Sequence, residues 1–288
     1  MLRATLILSS CLLTLPALAS PPAPSPVDPW CAAIGKRLRS VPVETCRNLG
    51  FTASNVRTPG DRLLVLRDVP PPATPASPAG KTNAPRVLVI GGIHGDELTS
   101  SYVVFRWLQW TGEADASLYH WRVIPLANPD GLLASPPTRV NGRGVDLNRN
   151  FPTPDWDKDA QNYWTQRAKR DPRRYPGKTA GSEIETRWLE EQIREFKPDV
   201  IISVHAPYSI LDYDGPAPKP HRFGRLNLNQ LGVYPGSLGN YSGIHQQTPV
   251  VTIELPNATS MPTIQEQRAI WQDMLAWMKK NIIGQTRS

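Results

Sequence analysis

His94 and Glu97 are separated by two residues in "RVLVIGGIHGDELTS" (Arg86–Ser100), where an apolar run enters a glycine-rich turn and meets an imidazole and two carboxylates. An imidazole and a carboxylate aimed at one point are ligands for a divalent cation. Gly91, Gly92 and Gly95 free the backbone to turn tightly enough for both side chains to face that point. A third candidate ligand, His205, follows a separate apolar run in "PDVIISVHAP". Two histidines and a glutamate, with a fourth position open to water, form the donor set of one catalytic zinc ion. Hydrolysis there also needs a base that takes a proton from water and hands it to the leaving amine. Glu254, closing "TPVVTIEL", suits that duty, because an ionised carboxylate ending an apolar strand is costly to bury and favours a cleft. Between these groups lies "RVNGRGVDLNRNFP". Its Arg139 and Arg149 are fixed cations for an oxyanion or a carboxylate, Arg149 through a planar fork. Asn148 can hold a terminal carboxylate, and Asp146 can orient a ligand histidine from behind.

The elements that must carry these residues are legible as alternating patterns. Arg62–Val69 and Arg86–Ile90 read as strands, as do the apolar runs in "HWRVIPLANPDG", "PDVIISVHAP" and "TPVVTIEL". Helical spacing appears in "DELTSSYVVFRWLQW" at Leu98, Val104, Phe105 and Leu108. "SEIETRWLEEQIREF" opens on Ser182-x-x-Glu185, and the last helix on Thr263-x-x-Glu266, both capping-box patterns. Strands alternating with helices predict an α/β sheet covered on both faces. His94, Asn128, His205 and Glu254 all fall at or just beyond strand ends, which places a common cleft at the carboxyl edge of the sheet.

The N-terminus has a different character. Residues 1–19 read as a secretory signal peptide cut near Ala19, with lipoprotein processing at Cys11 as a lesser alternative. Residues 20–29 are a Pro-rich tether, and 30–60 a small appendage stapled by a Cys31–Cys46 disulfide. These features predict a periplasmic or secreted protein with no stable membrane insertion after cleavage. A net charge of +7 suits an acidic polymer or an anionic substrate. Nucleic acid is not the expected partner, because the basic residues are scattered apart from "RAKRDPRRYPG", which reads as a solvated rim or a contact for anionic glycan strands. Oligomeric state is not readable from the chain.

"HGDE", "NPDG", "GVDLNRNFP", "YPG…SEIET", "SVHAP" and "TIELP", in that order, resemble the zinc carboxypeptidase family, the carboxypeptidase A-like metallopeptidases. The resemblance spans roughly Arg62 to Ile283, so residues 61–288 are expected to form a zinc peptidase domain. It implies a mixed, mostly parallel twisted sheet with helices on both faces. It assigns one zinc to His94, Glu97 and His205, general base and acid duty to Glu254, and oxyanion stabilisation to Arg139. Asn148 and Arg149 would grip the substrate carboxylate, and Asp146 would support His94. The mobile tyrosine of the larger digestive enzymes corresponds to Tyr234 or to Tyr241. Within the family, "GGIHGDE", "TRVNGRGVDLNRNFP" and "YPGSLGNYSG…VTIELP" look most like the bacterial murein peptide amidase A branch, which cuts the γ-D-glutamyl–meso-diaminopimelate bond of cell-wall peptides. On that resemblance the substrate is a murein peptide, and Asp212 and Asp214 would meet its distal ammonium. A conventional metallocarboxypeptidase trimming ordinary C-termini is the alternative. An N-acyl-amino-acid deacylase fits the Asn148–Arg149 pair less well, and a non-catalytic wall-binding module has no need of an intact His94, Glu97, His205 and Glu254.

Overall fold

The computed structural model describes residues 25–73, 83–216 and 218–283. The expected signal peptide, Cys11 and the first half of the tether lie outside the described residues. In chain order the helices are α1 (Val27–Arg37), α2 (Val43–Asn48), α3 (Leu98–Leu108), α4 (Pro129–Leu133), α5 (Trp156–Asn162), α6 (Ile184–Phe196) and α7 (Ile264–Asn281). The strands are β1 (Thr52–Arg57), β2 (Leu63–Val69), β3 (Arg86–Ile90), β4 (His120–Ile124), β5 (Val200–His205), β6 (Ile210–Asp214), β7 (Arg222–Phe223), β8 (Leu226–Leu228) and β9 (Val250–Glu254). They form one mixed sheet in the order β1-β2-β4-β3-β5-β9-β6-β8-β7. The central strands β4, β3, β5 and β9 run parallel, while β2 and β6 border them antiparallel.

The central strands are largely apolar and buried at most positions because both faces are covered. In β3, Val87 and Val89 join the core built by α1, α3 and α7, whereas Leu88 and Ile90 join the core built by α6. That alternation follows from the two-residue period of a strand. Trp271 of α7 stacks on Trp121 of β4 at 5.2 Å and lies 5.6 Å from Trp107 of α3, so three indoles fill the first core.

Residues 30–60 are continuous with this architecture. Cys31 and Cys46 are joined, and both are fully buried. Trp30 sits 6.0 Å from Phe105 of α3, and β1 pairs with β2, so the expected boundary between 60 and 61 runs through a hairpin. The Thr263–Glu266 capping box is present at α7. The one expected at Ser182 is not, since Glu183 is the N-cap of α6. Asn150 takes over there: its Oδ1 accepts from the Glu183 N–H at 3.0 Å and its Nδ2 donates to the Ser182 hydroxyl at 3.0 Å. Among the described residues no helix is long and apolar enough to cross a membrane.

Candidate metal centre and active site

Three neighbouring parallel strands deliver the candidate site. β3 runs into the turn bearing His94 and Glu97, β5 ends on His205 and β9 ends on Glu254. His205 and Glu254 are register partners, so their side chains emerge side by side. The glycines permit the turn at close quarters. Gly92 has φ +60°, and a Cβ on Gly95 would stand 2.2 Å from the Gly131 carbonyl carbon.

His94, Glu97 and His205 are buried and each offers one ligand atom within 4.8 Å of the others. His94 Nδ1 lies 2.8 Å from Glu97 Oε1 and 3.2 Å from His205 Nδ1, which is 3.1 Å from Glu97 Oε2. Ligand atoms about 2.0–2.1 Å from one tetrahedral ion stand roughly 3.4 Å apart, so the set fits zinc. The far side of each ring is also held. His94 Nε2 lies 3.1 Å from Asp146 Oδ1, and His205 Nε2 lies 3.0 Å from the Ser203 hydroxyl. With both Nε2 atoms engaged as donors, both Nδ1 lone pairs face the common point.

The electrostatics follow from burial opposed by charge. Burial alone would raise the Glu97 carboxyl, but the two imidazoles outweigh it and hold the group far below the usual carboxylate range. Asp146 behaves alike, with burial opposed by Arg139 and His94. Its carboxylate is a hub: Oδ2 accepts from Arg139 Nε at 3.0 Å, and Oδ1 accepts the Asn148 N–H at 3.0 Å as well as facing His94. Arg139 Nη1 reaches Glu97 Oε1 at 3.5 Å. Glu254 is buried and its pKa is raised, chiefly by burial, although His205 pulls it down.

A cavity of about 190 Å³ opens beside these groups, lined among others by Asn148, Arg149, Tyr234, Asp212 and Asp214. Arg149 is only 7% exposed and its Nε has no hydrogen-bond partner among the described residues. Its Nη1 donates to the Asn148 carbonyl at 2.6 Å, so Nε is the donor left to meet an anion. Asn148 Oδ1 is engaged by the Leu238 N–H at 2.8 Å, which turns its amide nitrogen loose. Tyr234 lays its ring 4.4 Å from the Arg149 guanidinium and donates to the Leu231 carbonyl at 2.9 Å. Tyr241 instead packs on Phe151 at 5.4 Å, so of the two tyrosines Tyr234 faces the cavity.

Asp212 and Asp214 lie on β6, beside β9, with Asp212 opposite Thr252. Asp212 Oδ1 accepts the N–H groups of Tyr213 and Leu231. Asp214 is 9% exposed and accepts no hydrogen bond from the described residues, and burial followed by repulsion from Asp212 pushes its carboxyl up to about 7. A cation would relieve both. Asn128, by contrast, is not part of the cavity: it caps α4 and holds the Arg139 carbonyl at 3.1 Å. Ser203, Tyr208, Ser237, Thr252 and Arg174 line the cavity without having been expected. Ser203 and Thr252 were findable, since each stands two residues before His205 or Glu254 on the same strand face.

Comparison with known proteins bears on what this arrangement serves. The family model described as zinc carboxypeptidase matches residues 57–219, which include His94, Glu97 and His205 and stop short of Glu254. Murein peptide amidase A of Escherichia coli K12 is 30% identical over 217 residues, covering 72% of this chain and 86% of the relative. The crystal structure of murein-tripeptide amidase from Escherichia coli O157 superposes with a TM-score of 0.53 at 24% identity, covering 81% of this chain and 91% of the other. Carboxypeptidase A of Helicoverpa armigera gives a TM-score of 0.63 at 17% identity, covering 91% and 73%.

Proposed function

The chain belongs to the zinc carboxypeptidase family of metallopeptidases, and from that premise we propose that it hydrolyses an amide bond in cell-wall peptides, the one joining γ-D-glutamate to meso-diaminopimelate. The observation that carries the reading is the pairing, in one cavity, of the buried Arg149, whose Nε has no partner among the described residues, with the buried acids Asp212 and Asp214. A leaving residue that fills both needs a carboxylate beside the cleaved amide and an ammonium farther out. Diaminopimelate has both. An ordinary apolar C-terminal residue would leave the buried Asp214 carboxyl without a partner, at a cost of about 1–3 kcal/mol for an unsatisfied group.

His94, Glu97 and His205 would hold the zinc, which acidifies water and polarises a carbonyl. Glu254, with its raised pKa, takes the proton from water and delivers it to the departing amine. Arg139, fixed by Asp146, faces the developing oxyanion. Asn148 and Arg149 fasten the carboxylate of the leaving residue, and Tyr234 covers that guanidinium. The Cys31–Cys46 disulfide and the apolar N-terminal run support placing this activity outside the cytoplasm, where murein peptides are released.

Incubation with L-Ala-γ-D-Glu-meso-diaminopimelate, followed by mass spectrometry, is expected to release free diaminopimelate. Inertness toward it combined with trimming of ordinary peptides would replace this reading by a conventional carboxypeptidase. Glu254→Gln is expected to lower kcat about 10²–10⁴-fold with zinc content unchanged. Full turnover by that variant would remove Glu254 from the chemistry.

A further inference from the structure

The cavity contains a cation that the account above leaves unused. Three arginines line it: Arg139, Arg149 and Arg174. Arg139 is committed to Asp146 and Glu97, and Arg149 lies under Tyr234. Arg174 stands at the mouth, its side chain 41% exposed, with a 3.7 Å contact to Asp171 as its ion pair among the described residues.

Its position is nonetheless built. Arg173 Nη1 pairs with Asp96 Oδ2 at 2.7 Å, and Asp96 lies between the ligands His94 and Glu97. On the other side, the Tyr175 carbonyl accepts from the Asp146 N–H at 2.8 Å, and the Pro176 carbonyl accepts from Asn150 Nδ2 at 2.8 Å. Asp171 accepts the Arg173 N–H at 2.9 Å, and its own carbonyl takes the Trp164 indole N–H at 2.8 Å. The segment is therefore tied down on both sides of Arg174: to Asp96, two residues from His94, through the Arg173 side chain, and to Asp146 and Asn150 through the Tyr175 and Pro176 carbonyls.

Resting on the amide-hydrolase reading, we propose that Arg174 recognises a substrate carboxylate on the acyl side of the scissile amide, the free α-carboxylate of the γ-linked D-glutamyl residue. The leaving residue's carboxylate already has Asn148 and Arg149, so a further cation implies a further anion. In an ordinary α-peptide the residue on the acyl side carries no such group, because its α-carboxyl is the scissile carbonyl. A γ-linkage leaves the α-carboxylate free a few bonds away. Arg174 thereby makes the linkage itself a specificity element, through a planar donor fork suited to a carboxylate.

The test compares three peptides on the zinc-loaded protein: L-Ala-γ-D-Glu-meso-diaminopimelate, its γ-D-isoglutamine analogue with the α-carboxyl amidated, and the analogue with L-lysine in place of diaminopimelate. The wild type is expected to prefer the first over the amidated peptide by about 10–100-fold in kcat/KM, the strength of one charge-assisted contact. In Arg174→Gln that ratio should collapse toward unity, while the ratio of the diaminopimelate to the lysine peptide stays as in the wild type. Arg174→Lys should keep part of the first ratio. A wild type that cleaves both glutamyl forms equally overturns the assignment without using any variant. So does a variant in which only the diaminopimelate-to-lysine ratio changes, which would move Arg174 to the distal carboxylate. Cleavage of none of the three overturns the functional reading along with it.

Discussion

His94 and His205 each present Nδ1 to a shared point because Asp146 and Ser203 occupy the opposite nitrogens. Loss of such a partner usually weakens metal binding about 10–100-fold. Asp146→Asn should therefore lower zinc affinity by that factor in competition with a chelator, and an unchanged affinity would mean the ring is oriented by packing alone. Asp214 gives a pH signature. Its folded pKa is about 7, against about 3.9 for a free aspartate, so between those values the unfolded chain binds fewer protons than the native one. Its contribution to stability thus falls as pH rises from about 4 to 7. Urea midpoints should show a flatter pH profile in Asp214→Asn across that window; an unaltered slope would mean the carboxyl ionises normally. The His94, Glu97 and His205 triad was legible because an imidazole and a carboxylate meet in a glycine-rich turn just past an apolar strand, with a second imidazole at the end of another. Arg174 was not, because its loop is held at the cavity by the Arg173–Asp96 pair and by the Tyr175 and Pro176 carbonyls, contacts that are not local in sequence.

Strand ends carry the candidate site, and the mostly apolar strands β3, β4, β5 and β9 were readable for that reason. β6 was not: "ILDYDGP" contains two acids and a glycine and reads as a loop, yet it pairs with five successive residues of β9. That pairing is what sets Asp212 and Asp214 on the cavity face. The α6 cap misled for a similar reason, since the long-range Asn150 side chain binds both the Ser182 hydroxyl and the Glu183 N–H, and the helix starts one residue later. At the N-terminus the disulfide closes a loop of sequence separation 15 between α1 and α2, worth about 3 kcal/mol in the chain-entropy account. Replacing both cysteines by alanine should lower unfolding free energy by about that amount while leaving zinc stoichiometry intact, because neither cysteine lines the cavity. Loss of zinc in the double variant would show that residues 30–60 hold the site as well as the fold.

At the scale of the molecule, the sheet places its chemistry along one edge. β3, β5 and β9 are neighbours in space though about 110 and 45 residues separate them along the chain, so parallel register sets His205 beside Glu254 and the turn after β3 brings in His94 and Glu97. The antiparallel β6 then adds a carboxylate floor, and the loop after α5 adds a cationic rim. On the proposed function, turnover requires one divalent ion held by His94, Glu97 and His205. Activity against zinc bound per chain tests it most directly. Chelated protein titrated with zinc should regain hydrolysis of L-Ala-γ-D-Glu-meso-diaminopimelate in proportion to occupancy, saturating at one ion, with His205→Ala neither binding nor turning over. Hydrolysis by the metal-stripped protein at the untreated rate would contradict it.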